Sequence, residues 1–224
     1  MTTVQVFDAT HDNISHLPHG RAAGYSTGAG SHIRWTPADW AAHPGAVRID
    51  QDPAASDATA DVLDVEAGAA TPASAAGWAK RAAISYATAA RPGQRRPAIY
   101  MSRSQATAVV NALIAGGVKG GVGLWIADWD KTQAQAEAEV SAAAGPYPVI
   151  GVQYRNAGLY DVSVFSQSWL QEVSVTHPAA PPVPPGPWND PDVWNWTDVA
   201  IVGVGLDGKF HLFHLEHGTW VKIR

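Results

Sequence analysis

The sequence predicts an α/β protein: an irregular barrel of the TIM type, followed by a small C-terminal antiparallel β appendage. Eight short runs rich in β-forming residues recur with turn residues between them, and several are continuously apolar, as in strands buried on both faces. Helical stretches separate some of these runs. A Pro-rich linker at 177–187, with six prolines in eleven positions, divides a first domain, 1–176, from a tail, 188–224.

The eight predicted strands fill the first domain from end to end. They are expected at VQVFDA (4–9), AAGYST (22–27), AVRID (46–50), DVLDVE (61–66), PAIYMS (97–102), VGLWIAD (122–128), PVIGVQY (148–154) and YDVSVFS (160–166). Eight strands with helices interleaved are typical of a closed barrel.

Helices are expected between several of these strands. The longer ones lie at 71–90, 102–117 and 130–145. Thr71 is the expected N-cap of the first of them. A shorter helix should begin at Thr36, with Pro37 at its first position and with Trp35 and Trp40 packed against it.

Two connections are too short for a regular barrel. Residues 51–60, between the third and fourth strands, leave no room for a full crossover helix. Residues 155–158, between the last two strands, allow only a hairpin. Because parallel neighbours need a crossover of about a dozen residues or more, the last two strands should run antiparallel.

The tail alternates apolar and polar residues and contains two turn signals, Asp207-Gly208 and His217-Gly218. Three short strands are therefore expected. A sheet of this size has little core of its own. We expect it to dock on the barrel, on a partner protein or on another copy in a homo-oligomer.

Composition excludes several classes of function. The net charge of −5 argues against a nucleic-acid partner, and the basic group Arg91, Arg95 and Arg96 is expected to be a solvated loop. The absence of cysteine excludes disulfides and thiolate metal sites. No apolar run is long enough for a membrane span. We expect an extracellular or virion-associated protein, and because the first residues lack the features of a secretory signal, its release would have to follow a non-classical route.

Acidic residues stand at the predicted strand ends. Asp64 and Glu66 are two positions apart in one strand, so their side chains share a face with Cα atoms roughly 6.6 Å apart, and Leu63 and Val65 face the helices. The active sites of such barrels lie at the carboxyl ends of the strands. Other acids in related positions are Asp8, Asp128 and Asp161.

This pattern favours glycoside hydrolysis, which needs one protonated and one ionised carboxyl group. The expected substrate-binding residues around the acids are Tyr100, Trp125, Asp128, Trp129, Gln153 and Tyr154. A divalent-metal site is an alternative use of clustered carboxylates. The histidines at 11, 16 and 19 are interpreted as polar residues of a surface loop rather than as metal ligands.

The order VFDAT, LDVE, AIYMS, LWIADW, VQY and YDVSVF resembles the strand series of the family-25 glycoside hydrolases. These are lysozymes that cleave peptidoglycan, and they have glycoside-hydrolase-like relatives in actinobacteria and their phages. The resemblance covers roughly residues 4–170. It implies an irregular (βα)5β3 barrel and hydrolysis without a metal or other cofactor.

The same resemblance implies a role for each acid. Glu66 matches the general acid, Asp64 its partner on the same strand, Asp8 the first-strand acid and Asp161 the acid after the QY motif. The predicted function is therefore a muramidase-like hydrolase of bacterial cell-wall polysaccharide. The alternative is a barrel that binds glycan without cutting it, or a structural component of a phage tail or injection apparatus.

Overall fold

The first domain is a closed barrel of eight strands, in sequence order, with helices on its outside. A computed structural model describes residues 2–173, 201–204, 210–216 and 219–222. All eight strands expected from the sequence are present. The barrel is mixed, because the first seven strands run parallel to one another and the eighth runs antiparallel to both the seventh and the first.

The strands of the barrel are short. They are β1 (Thr3–Asp8), β2 (Arg21–Tyr25), β3 (Val47–Asp50), β4 (Val62–Val65), β5 (Ala98–Ser102), β6 (Gly123–Ala127), β7 (Val149–Asn156) and β8 (Asp161–Ser166). The helices are α1 (Pro37–Ala42), α2 (Pro72–Ala87), α3 (Ala106–Ala115), α4 (Gln133–Ala142) and α5 (Gln167–Gln171), with 3-10 turns at His11–His16 and Arg103–Gln105.

The helix starts follow from local chemistry. Thr36 caps α1 in a capping box with Asp39 and is followed by Pro37, as the sequence predicts. Trp35 and Trp40 pack together beside it, with ring centroids 4.6 Å apart. Thr71 occupies the N-cap position of α2, as the sequence predicts, but its side chain makes no capping hydrogen bond. Pro72 follows it in the first turn of the helix.

The two short connections behave as expected. No helix separates β3 from β4, and β7 and β8 form an antiparallel hairpin. The β3–β4 loop is organised by buried Asp50, which accepts hydrogen bonds from the Thr27 hydroxyl (2.6 Å) and from the backbone N–H groups of Asp52 and Asp57. The Asp50 carboxylate thus accepts hydrogen bonds from backbone N–H groups of a connection that contains no helix.

Two apolar layers hold the barrel together. Outside it, Leu63 and Val65 of β4 pack against Trp78 of α2 and Leu113 of α3. Inside it, a separate cluster includes Val6, Val47, Trp125, Phe165 and Trp169. Because strand residues alternate between these layers, Asp64 is directed inward between two outward-facing apolar neighbours.

A buried ion pair lies at the opposite end of β4 from the acids. Asp61 is fully buried and bonded to the side chains of Arg91 and Arg95 and to the backbone N–H of Arg48. Arg95, only 2% exposed, also donates to the carbonyls of Gly45 and Leu170. The expectation of a solvated basic loop is therefore wrong for Arg91 and Arg95, because a buried carboxylate draws both inward.

Contacts divide the chain into two units, Met1–His177 and Pro178–Arg224. The second contains a three-stranded antiparallel sheet of β9 (Ile201–Val204), β10 (Phe210–Glu216) and β11 (Thr219–Lys222), with β10 in the middle. The linker at 177–187 and both predicted turns lie outside the described residues, and the docking of this sheet stays a prediction. No helix in the described part of the chain is long and apolar enough to cross a membrane.

Candidate active site

Four carboxylates from three strands converge at the carboxyl end of the parallel strands. Asp8 is the last residue of β1, and it pairs in register with Asp161, the first residue of the antiparallel β8. Asp64 lies near the end of β4, and Glu66 follows that strand directly. Asp8 is electrostatically coupled to the other three acids. The structure thus brings together the four residues that the sequence pattern selected.

The four acids differ in how far solvent or a ligand can reach them. Asp8 and Asp64 are only 4% and 2% exposed. Glu66 and Asp161 are partly exposed. The site therefore has two deep carboxyl groups and two accessible ones.

The deep acids are held by amide side chains. Gln153 donates from Nε2 to Asp8 Oδ1 (3.1 Å), and its Oε1 accepts from the Tyr100 hydroxyl (2.5 Å). Gln51 donates from Nε2 to Asp64 Oδ2 (3.1 Å). The remaining Oδ1 atoms of Asp64 and Asp161 are buried and have no hydrogen-bond partner within the described residues. Buried polar atoms are rarely left unpaired, and both of these belong to one site.

Burial is the largest cause of the raised pKa values in this cluster. It raises the pKa of Asp8 to about 8, and the neighbouring Asp161 carboxylate adds to the rise while Gln153 opposes it. Burial and then Glu66 raise the pKa of Asp64 to about 7 and that of Asp161 to about 6. Burial also raises the pKa of Glu66. Near neutral pH the cluster therefore holds protons on some carboxyl groups and negative charge on others.

Tyr25, at the carboxyl end of β2, is the site residue that sequence reasoning missed. Its pKa is raised well above the ordinary value, first by burial and then by the surrounding acids, Asp8 foremost. Its hydroxyl therefore faces the carboxylate cluster. The sequence offered little signal for Tyr25, because it lies inside the predicted strand 22–27 and only acidic residues were selected at strand ends.

Two adjoining cavities open beside the acids. A small one of about 10 Å³ is lined by Asp8, Tyr25, Ile49, Asp64, Tyr100 and Trp125. A larger cleft of about 140 Å³ shares Asp8 and Tyr25 and extends past Asp161 to Leu159 and Tyr160 of the β7–β8 hairpin. A ligand in the larger cleft would thus lie against Asp8 and Asp161.

Aromatic rings packed edge to face lie beneath the site. Trp125 packs against Tyr100 and Phe165, with ring centroids 4.8 Å apart in both cases, and donates from its indole N–H to Ser163 (3.1 Å). Trp125 is fully buried. It therefore supports Tyr100 and the acids from below and presents no open ring face for a sugar.

Three other predicted binding residues lie away from the four acids. Asp128 follows β6 and forms ion pairs with Arg103 (2.9 Å) and Lys131 (3.9 Å). Trp129 is 51% exposed beside it. Tyr154 lies on the opposite face of β7 from Gln153, in the cluster under α4, where its hydroxyl accepts from Gln5 (2.9 Å). The structure does not bring Tyr154 into the pocket.

No group of three or more His, Asp or Glu side chains in the described part of the chain is arranged to hold a metal ion. Of the histidines after β1, His11 contacts the Asp39 carboxylate at 2.7 Å. That contact ties the first loop to α1.

Comparisons with models of protein families, with curated proteins and with solved structures gave no match. The chemistry of the site is therefore the basis for assigning a function.

Proposed function

We propose that this protein is a glycoside hydrolase that cleaves bacterial cell-wall polysaccharide, with a muramidase-like action on peptidoglycan. The observation that carries the proposal is the convergence of Asp8, Asp64, Glu66 and Asp161 at the carboxyl end of the parallel strands, with two buried carboxyl oxygens that lack protein partners within the described residues. Glycoside hydrolysis requires a protonated and an ionised carboxyl group on the two sides of the scissile bond.

Glu66 is the proton donor in this proposal. It is partly exposed, and its pKa is raised chiefly by burial, so it retains its proton at higher pH than a solvated glutamate. Glu66 gives that proton to the glycosidic oxygen as the bond from this oxygen to the anomeric carbon breaks. Water adds to the anomeric carbon, and the proton that it loses returns to the carboxylate cluster.

The other three acids have separate roles in this proposal. Asp161 has a pKa of about 6 and is mostly ionised at neutral pH. Together with Asp64 it stabilises the positive charge that develops at the anomeric carbon. Asp8 has a pKa of about 8 and is mostly neutral, so it can donate as well as accept a hydrogen bond. We assign it to the orientation of the sugar or of the attacking water.

The cleft at the acids would hold only part of a saccharide chain. Its volume beside Asp8 and Asp161 is about 140 Å³, below the roughly 300–1,000 Å³ of typical small-molecule sites. Tyr25 and Tyr100 supply hydroxyl groups near the acids.

The family-25 relationship and its (βα)5β3 arrangement belong to this proposal. Five strands, β1, β2, β4, β5 and β6, are each followed by a helical segment if the 3-10 turn after β1 is counted. No helix lies between β3 and β4 or between β7 and β8, and β8 is the last strand of the barrel. Such a hydrolase needs no cofactor, acts outside the cell or on a virion, and uses the C-terminal sheet to dock on the barrel, a partner or another copy.

Purified full-length protein incubated with peptidoglycan tests the proposal through release of reducing ends. We expect release by the wild type and by Glu137→Gln, a matched change on α4, and a loss of about a hundredfold or more for Glu66→Gln. No release by the wild type at any pH from about 4 to 9, a range that extends beyond the pKa values of about 6 to 8 in the cluster, would contradict it.

One observation favours the second candidate, a barrel that binds glycan without cutting it or serves in a phage tail or injection apparatus. The cavity that reaches Asp64 is only about 10 Å³, and Asp64 is almost fully buried. A ligand that binds in the larger cleft would then touch only the outer acids. Binding of peptidoglycan fragments without release of reducing ends would support this candidate.

A further inference from the structure

A second cleft lies at the carboxyl ends of β2 and β3, on the same end of the barrel as the acids. One wall is the loop after β2, with Thr27, Gly28 and Arg34, and the other is the loop after β3, with Asp52 and Ser56. We call it the Arg34 cleft. Its volume is about 410 Å³, against about 140 Å³ for the cleft at the acids, and typical small-molecule sites measure roughly 300–1,000 Å³. The Arg34 cleft therefore has room for a ligand group that the cleft at the acids cannot hold.

Gln51 connects the Arg34 cleft to the acids. Its Nε2 donates to Asp64 Oδ2 at 3.1 Å. The Oε1 of the same amide lies 3.1 Å from the position that a Cβ atom on Gly28 would take, and Gly28 lines the Arg34 cleft. A single side chain thus separates the Asp64 carboxylate from this cleft. One substrate molecule can therefore reach both places.

Thr27 ties the two walls of the Arg34 cleft together. Its hydroxyl donates to Asp50 (2.6 Å) and accepts from the backbone N–H groups of Gln51 (2.8 Å) and Asp52 (3.0 Å). The Asp50 carboxylate at the centre of this network is fully buried. The walls are therefore held in place before a ligand arrives, which lowers the entropic cost of binding.

Arg34 is held in its position by backbone hydrogen bonds of its two neighbours. The carbonyl of Ile33 accepts from the N–H of His11 (3.0 Å), and the N–H of Trp35 donates to the carbonyl of Tyr25 (3.0 Å). The Arg34 side chain is exposed and has no hydrogen bond or ion pair with any other described residue. Its guanidinium is therefore available to a ligand, and the group that it binds best is a carboxylate, through two parallel N–H···O bonds.

Asp52 places a negative charge in the same cleft. Its Oδ1 accepts from the N–H of Ala54 (3.0 Å), and its Oδ2 accepts from the Ser56 hydroxyl. These bonds, that from Ser56 foremost, lower the pKa of Asp52, so it is ionised at neutral pH. Each of its oxygens keeps a second lone pair that can accept from an ammonium group. Since Asp52 is not paired with Arg34, the cleft presents a separate anion and cation.

A ligand group that matches both charges carries a carboxylate and an ammonium group. The sugars of peptidoglycan carry no ammonium group when they are N-acetylated, whereas a stem peptide with a diamino acid carries both. We propose that the Arg34 cleft binds the stem peptide of peptidoglycan, with Arg34 on a carboxylate and Asp52 on the free amino group. The choice of this ligand rests on the proposed function.

Isothermal titration calorimetry of the full-length protein with three soluble fragments tests the proposal. The first is the disaccharide of N-acetylglucosamine and N-acetylmuramic acid bearing a peptide of L-alanine, D-glutamate and L-lysine. The second is this disaccharide without the peptide, so that its only charge is the muramic acid carboxylate. The third is the first fragment with its lysine amino group acetylated. The glycosidic bond inside this disaccharide is not the one that a muramidase cleaves, so binding is measured without hydrolysis.

We expect the wild type to bind the first fragment about tenfold more tightly than the second or the third. Arg34→Met and Asp52→Asn should each weaken binding of the first fragment about tenfold and leave that of the second unchanged. The matched control is Arg21→Met, which removes an exposed arginine at the other end of β2 and should change neither. The comparison of the three fragments uses the wild type alone, so it does not depend on the folding of any variant.

Asp52→Asn separates the proposal from a site for a purely anionic group. Such a group would bind more tightly once the neighbouring negative charge is removed, so tighter binding of the first fragment would overturn the proposal. Equal affinity of the wild type for the first two fragments, no binding of the first, or binding unaffected by Arg34→Met would also overturn it. Absence of polysaccharide cleavage by the wild type is a separate result: it would contradict the proposed hydrolysis and leave a peptide site that depends on Arg34 as it stands.

Discussion

Asp8 and Asp161 lie directly opposite each other on the antiparallel strands β1 and β8. Opposed residues of such strands have Cα atoms only about 4.5–5.5 Å apart. Ionising both carboxyl groups of such neighbouring residues, one of them nearly buried, costs free energy. The fold itself therefore keeps a proton in the pocket, and the strand that reverses direction is the one that supplies the second acid.

The first prediction concerns the pH dependence of stability. The pKa of Asp8 is raised to about 8 in the folded protein, so the folded state binds a proton that the unfolded state has lost. This contribution to stability is complete below the unfolded pKa and is lost as pH rises through about 8. We expect Asp8→Asn, which carries no charge, to raise the free energy of unfolding at pH 8 by more than about 1 kcal/mol and to change it little at pH 4.

Urea unfolding at the two pH values measures this difference. Asp12→Asn, a change at an exposed acid in the loop after β1, is the control and should leave the pH dependence unchanged. A destabilised Asp8→Asn protein at pH 8 would mean that Asp8 is ionised and favourably paired in the folded state.

The four acids could be selected from the sequence because parallel strands deliver their last residues to one place. The expected pairing of the first and eighth strands then added Asp161, which starts its strand. Tyr25 could not be selected by this rule, because the predicted second strand continues to Thr27, whereas β2 ends at Tyr25. Gln153 and Tyr154 could not both line the pocket, because consecutive residues of a strand face opposite sides.

The second prediction concerns the buried Arg95–Asp61 pair. Arg95→Ala removes one partner of a buried carboxylate, and such changes typically cost about 3–5 kcal/mol. Arg96→Ala breaks only the exposed pair with Glu172 and should cost less than about 1 kcal/mol. Chemical denaturation of the two neighbouring variants compares them directly. Equal effects would mean that the ion pair contributes nothing beyond an ordinary surface arginine.

This pair could not be predicted from the sequence. Asp61 and Arg95 are 34 positions apart, and the Arg95 guanidinium also bonds to Gly45 and Leu170. Only the closed barrel brings these segments together at one end. The Pro and Gly residues around Arg95 correctly indicated a turn. This turn lies at the end of the barrel opposite the acids, where the Arg95 side chain is buried.

The third prediction concerns the glycine that precedes Tyr25. A Cβ atom on Gly24 would lie 2.1 Å from the buried Trp35 ring, so Gly24→Ala forces that ring or β2 to move. We expect a loss of about 1–3 kcal/mol. Gly77→Ala in α2 meets nothing closer than 3.6 Å and should stabilise the protein by about 0.5–1 kcal/mol. Thermal unfolding distinguishes the two, and a neutral Gly24→Ala would contradict the close packing of β2 on Trp35.

The central claim is that the converging carboxyl groups hydrolyse a glycosidic bond. Mass spectrometry of peptidoglycan fragments produced in 18O-labelled water tests it most directly. The account predicts one 18O atom at each new reducing end with the wild type and with Glu137→Gln, and no fragments above background with Glu66→Gln. Fragments without the label, or fragments produced equally well by Glu66→Gln, would contradict it.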